Sequence, residues 1–162
     1  PESLDRMRPS FTADPAELND RYFMSAQEVR EVDQDPLIEI GGHTISHPLL
    51  KRLTEDEAFR EIAQNKADLE ELLDRPVETF AYPYGNDKAC GSREFTLAQR
   101  AGYKIAVTTR DGNIFSAHKN HMLALPRYSV RGFLENLAVY EMQRSGIYRI
   151  FKSRFGPAFV TE

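Results

Sequence analysis

The chain has 162 residues, 41% of them hydrophobic and 28% charged, which is enough for one domain with a sizeable core. A formal net charge of −4 leaves no basic excess, so nucleic acid is not an expected partner, and no apolar run approaches the roughly 20 residues of a membrane helix. The single cysteine, Cys90, excludes an internal disulfide and is compatible with either the cytoplasm or the cell envelope.

No signal peptide is visible, and a start at Pro1 instead of Met reads as a processed or cut segment. Residues 1–23 carry prolines and little apolar periodicity over most of their length, the pattern of an irregular arm. In "MSAQEVREVDQ", Ser25 with Glu28 three residues later is a capping box that predicts a short helix. "PLIEIGG" is a short apolar run closed by glycines and predicts a buried strand. Thr54 and Glu57 form a second capping box. Behind it Phe59, Ile62, Leu69, Leu72 and Leu73 lie near helical spacing, with Lys66 as the one polar break and Pro76 as the stop. "VETFAYPYG" predicts a strand entering a turn, and "SREFTLAQRAG" a helix from an N-cap at Ser92 to a stop at Gly102. "YKIAVTT" predicts a strand, "DGNIFSAHKNH" a loop, "LALPRYSV" a strand or extended edge, and "GFLENLAVYEMQRSGIYRIFK" mostly helix.

Strands alternating with helices predict an α/β fold with a parallel sheet, whose ligand sites collect at the C-terminal ends of the strands. Two segments fall at such ends: Gly41–Pro48, which reads "GGHTISHP", and Tyr82–Gly85. His43 and His47 are four positions apart, and neutral imidazole is a common ligand of zinc and similar metals. Gly41 and Gly42 would let the backbone turn off the strand, and Pro48 biases His47 away from the α region. Spacing alone also fits two ordinary loop histidines, one capping and one solvated.

"HTISHP" resembles the second motif of the polysaccharide deacetylases of carbohydrate esterase family four. The resemblance extends through the following helix to "DRPVETFAYPYG", then to "REFTLAQRAGYKIAVTT" and "LALPRYSVRG", from about Met24 to Gly132. It implies that residues 24–162 are the C-terminal portion of a bacterial deacetylase domain. The implied fold is a partial distorted (β/α) barrel with parallel strands, about four strands and four helices of it in this chain. The implied activity is hydrolysis of acetyl groups from an N-acetylated, or O-acetylated, polysaccharide or oligosaccharide. His43 and His47 would hold a divalent metal, most readily zinc, which brings the pKa of its bound water toward neutrality. A backbone N–H near Tyr84 would help hold the oxyanion. Tyr82, Pro83 and Tyr84 would wall the substrate groove, with ordinary strand-end packing as the alternative for Tyr82.

Three departures from the family pattern stand out. The opening motif contains an Asp-Asp pair that supplies the third metal ligand and the general base, and no such pair occurs in these residues. The expectation is weak metal binding and little or no turnover from this segment by itself. The third motif begins with an arginine where this chain has Ala81. The last motif supplies a histidine as general acid, for which His121 is the nearest candidate and His118 the next, with a solvated loop residue as the alternative. Removal of opening strands would expose sheet edges, which predicts a homodimer if the segment is stable alone. Beside the enzyme stands a second reading, a catalytically dead carbohydrate-binding or assembly module of the same fold.

Overall fold

Thr54 begins the longest helix. Its hydroxyl accepts from the Glu57 backbone N–H while the Glu57 carboxylate accepts from the Thr54 N–H at 2.9 Å, so two helix-end donors are satisfied reciprocally. The computed structural model describes residues 14–128 and 137–146. They contain five α-helices: α1 (Pro15–Tyr22), α2 (Ala26–Val32), α3 (Glu55–Leu73), α4 (Ser92–Arg100) and α5 (Leu137–Arg144). Two strands, β1 (Thr79–Ala81) and β2 (Ile105–Val107), and two short 3₁₀ turns, Leu50–Arg52 and Ser116–Asn120, complete them.

The chain divides into two compact units, Pro1–Glu39 and Ile40–Glu162. In the first, Ser25 caps α2 with the capping box read from the sequence. Helix α1 occupies part of the stretch expected to be irregular. Its Pro15 sits at the first helical position, where a missing N–H costs nothing, so the residue that looked like a breaker serves as a starter. The first three residues of the run "PLIEI" are not a buried strand. Leu37 is 93% exposed and Ile38 44%, because a strand is stable only where neighbours pair its backbone and cover its side chains.

In the second unit β1 and β2 pair in parallel, with Phe80 opposite Ala106. Single bridges extend the sheet on both sides, Gly42 to Phe80 and Val107 to Leu125, so four parallel segments lie side by side. Only the middle two reach strand length among the described residues, fewer than the four strands expected, and no closed barrel is formed there. The segment before His43 and the "LALPR" stretch each contribute one bridging residue instead of a ladder.

The core gathers Leu50, Ile62, Val77, Phe80, Leu97 and Tyr103. Helix α3 lays Ala58 and Ile62 into it, flanked by Phe59, Leu69 and Leu73. Lys66, the polar break in that stripe, keeps its stem on the core and its ammonium in partnership. The ammonium donates to Glu70 and to the Val77 carbonyl, both at 2.5 Å, and lies 5.2 Å from the Tyr103 ring centre. The helix ends at Asp74 with φ 52°, a left-handed residue that turns the chain before Pro76 is reached. Helix α4 starts at Ser92 itself, with Gly91 outside it, and its buried Glu94 pairs with Arg93. Arg93 also donates to the carbonyls of Leu50 and Leu53, tying the chain after Pro48 to α4. Cys90 is fully buried, and burial pushes its thiol up to about 11, so it is a core residue and not a nucleophile. The 3₁₀ turn Ser116–Asn120 replaces part of the expected loop. Of the last expected helix, Leu137–Arg144 form α5, Ser145 and Gly146 form a turn with Gly146 at φ 74°, and the rest of that reading lies outside the described residues.

Candidate metal centre

Gly42 is pinned to β1 from both sides: its N–H donates to the Thr79 carbonyl at 2.8 Å and its carbonyl accepts from Ala81 at 2.9 Å. A Cβ on Gly42 would stand 2.1 Å from the Tyr103 hydroxyl and 3.0 Å from Asn65 Oδ1. The glycine is therefore a matter of close approach. Among the described residues the glycines at positive φ are Gly85, Gly102 and Gly146, so Gly41 and Gly42 do not make the turn anticipated from the sequence.

The turn is made by non-glycine residues. Thr44 has φ 68° and His47 has φ 57°. Each left-handed L-residue costs on the order of 1–3 kcal/mol and persists only where its surroundings over-determine it. Pro48 does keep His47 out of the right-handed helical region, but into positive φ instead of extended backbone. The Thr44 hydroxyl accepts from the His47 N–H at 3.1 Å and closes the turn from inside.

The two imidazoles meet. Their ring centroids are 4.8 Å apart at an interplanar angle of 66°, and both residues are exposed. His43 Nδ1 lies 2.6 Å from the Ala81 carbonyl oxygen, which only accepts, so Nδ1 carries the proton and a neutral ring keeps its lone pair on Nε2. This is the arrangement in which a backbone carbonyl orients a metal-ligating histidine. It also gives Ala81, which stands where the family pattern has arginine, a role through its backbone.

Tyr84 flanks the pair, its ring 4.9 Å from that of His47. The residue sits at φ 61° and is followed by Gly85 at φ 61°. Thr109 holds both: its hydroxyl donates to the Tyr84 carbonyl at 2.5 Å and its N–H to the Gly85 carbonyl at 3.0 Å. The structure thus joins three of the residues singled out from the sequence, His43, His47 and Tyr84. Tyr84 is 51% exposed, whereas Tyr82 and Pro83 are fully buried. Tyr82 packs against Phe80 and Phe95 and donates its hydroxyl to the Leu123 carbonyl at 2.9 Å, so the packing alternative describes its side chain.

His121 is exposed at the end of the Ser116–Asn120 turn. The ring contacts of His43 and His47 run to each other and to Tyr84, not to His121. His118 Nδ1 accepts from the Phe115 N–H at 3.0 Å, and the ring stacks on Phe115. Among the described residues no three or more His, Cys, Asp or Glu side chains cluster as a complete metal site. The turn thus brings together two imidazole donors, a type suited to zinc, and no third among the described residues.

Two residues of α3 were not anticipated. Glu61 and Asn65 accept hydrogen bonds from the histidine turn, and in sequence they look like solvated helix positions. The one available signal is their four-residue spacing on a single helix face.

A polysaccharide deacetylase family model matches residues 13–106, more than half of the chain. No curated protein matches it. Among solved structures, a Streptococcus pyogenes deacetylase, PplD, in complex with acetate is 26% identical with a TM-score of 0.60, over 68% of this chain and 46% of that one. A polysaccharide deacetylase from Bacillus cereus is 26% identical with a TM-score of 0.56, over 64% of this chain and 31% of that one. IcaB from Ammonifex degensii, at 21% identity and a TM-score of 0.56 over 69% of this chain and 50% of that one, shares the fold. The chain spans half or less of the length of these structures. By the extent of the family match and the agreement of fold, the chain belongs to the polysaccharide deacetylase family.

Proposed function

We propose that His43 and His47 are two ligands of a divalent-cation site, zinc most readily, in a hydrolase that removes acetyl groups from an N-acetylated polysaccharide or oligosaccharide. The observation that carries this reading is the paired imidazoles, with the His43 tautomer set by the Ala81 carbonyl. In the same reading, the four parallel segments are an arc of a distorted (β/α) barrel.

A cation in such a site supplies Lewis acidity toward a carbonyl oxygen and makes water more acidic. The chain's own residues do the rest. His43 and His47 bind through ring nitrogens, and the Ala81 carbonyl keeps the His43 proton on Nδ1. The Tyr84 N–H donates to the acyl oxygen as charge develops on it. The exposed Tyr84 ring offers an apolar face to a sugar, whereas Tyr82 and Pro83, fully buried, support that face from within the core. The leaving amine also needs a proton, for which His121 is the candidate by family resemblance and not by any contact with the pair.

One observation favours a second reading. The sequence contains no Asp-Asp pair, and the described residues contain no third ligand beside the histidines. Without a base this segment turns over substrate slowly or not at all, and it then acts as a carbohydrate-binding or assembly module. Two assays separate the readings: calorimetric zinc titration, and acetate release from N-acetylated chito-oligosaccharide. Zinc uptake that His43→Ala and His47→Ala abolish supports the metal site. Acetate release that requires zinc supports the enzyme, and sugar binding without release supports the module.

A further inference from the structure

We propose that Glu61 and Asn65 form a two-point clamp on helix α3 that sets the conformation of the His43–His47 turn, and through it the mutual position of the two imidazoles. Its functional meaning rests on the metal-site reading above; its structural content rests on hydrogen bonds alone.

The two residues are one helical turn apart and face the same way. One oxygen of the Glu61 carboxylate accepts from the Ile45 N–H at 3.0 Å and the Ser46 N–H at 2.9 Å. The other accepts from the Ser46 hydroxyl at 2.8 Å. Asn65 Oδ1 accepts from the His43 N–H at 2.8 Å. Three backbone donors within four residues, at His43, Ile45 and Ser46, thus end on one face of a helix 15 to 22 positions away in sequence.

The turn needs such external support. Two of its residues, Thr44 and His47, hold positive φ without being glycine, and the Thr44–His47 bond is internal to it. A carboxylate accepting backbone N–H groups is the stronger kind of hydrogen bond. With the clamp in place the unfavourable conformation is already formed before a cation arrives, and ordering the turn is not charged against binding. Glu61 and Asn65 are positioning residues: they act on the imidazoles through the backbone between them. Lys66, next to Asn65, anchors the same stretch of helix to Val77, so the clamp stands on a rigid base.

The test uses the 162-residue chain, zinc as the probe, and three variants, Glu61→Ala, Glu61→Gln and Asn65→Ala. Three quantities are read: zinc affinity by calorimetry, amide hydrogen exchange at His43, Ile45 and Ser46, and thermal unfolding. Glu61→Ala is expected to speed exchange at Ile45 and Ser46 and to weaken zinc binding about tenfold or more at nearly unchanged Tm. Glu61→Gln keeps a carbonyl acceptor and is expected to restore most of both. Asn65→Ala is expected to expose the His43 amide. Zinc affinity and exchange in Glu61→Ala equal to those of the parent overturn the clamp. So does a Glu61→Gln variant that lowers zinc affinity as far as Glu61→Ala while exchange at Ile45 and Ser46 stays at the parent's rate, because charge near the cation and not the hydrogen bonds to the turn would then be what matters. If the parent takes up no zinc, the metal-site reading falls, and the clamp is judged on exchange and on the nuclear Overhauser contact between the two rings. Unchanged values in Glu61→Ala then overturn it. If Glu61→Ala does not fold, Glu61→Gln and Asn65→Ala decide by the same measures.

Discussion

At the scale of single residues, the histidine pair was visible in the sequence but the means of joining its rings was not. A four-residue spacing names two imidazoles, and only coordinates show that left-handed Thr44 and His47 turn them toward each other. Sequence reasoning gave that turn to Gly41 and Gly42, because glycine is the usual bearer of positive φ. The glycines serve close packing, and this can be tested. In Gly42→Ala the new methyl meets the Tyr103 hydroxyl, at the end of a side chain buried in the core, and a loss of about 1–3 kcal/mol is expected. In Gly85→Ala it meets the Thr109 backbone nitrogen at 2.6 Å from a residue at φ 61°. Backbone cannot step aside as a side-chain tip can, so Gly85→Ala should be the more damaging of the two. Chemical denaturation of both variants checks the order.

At the scale of elements, local chemistry made the helices legible. The boxes at Ser25–Glu28 and Thr54–Glu57 mark the starts of α2 and α3, since the bonds they form are confined to four residues. Thr54→Ala should therefore cost about 1 kcal/mol in an unfolding titration, with Thr54→Ser recovering most of it. The strands were less legible. "PLIEI" has strand composition yet leaves Leu37 and Ile38 exposed, whereas "TFA" in β1 forms a ladder because β2 lies beside it. A strand's partner is distant in sequence, so composition reports only half of what makes one. The same limit hid Glu61 and Asn65, whose partners lie 15 to 22 residues away.

At the scale of the whole molecule, pH links charge to stability. Hydrogen bonds from the Lys66 ammonium and then from the Val77 N–H hold the Glu70 carboxyl below its ordinary value. A group depressed in the folded state stabilises it above the unfolded pKa, about 4.3 for glutamate, and that stabilisation is lost as pH falls through the folded value. Glu28 and Glu57 are lowered by their capping bonds in the same direction. Stability is thus expected to be level near neutrality and to fall below about pH 4, with a shallower acid slope in Glu70→Gln when melts are compared across pH. The proposed chemistry requires that the two imidazoles grip one cation. Calorimetric titration of zinc into the chain tests this most directly. A single site in the parent, abolished in both His43→Ala and His47→Ala at unchanged fold, is the predicted result. Zinc uptake that neither substitution alters, or no uptake by the parent, would contradict it.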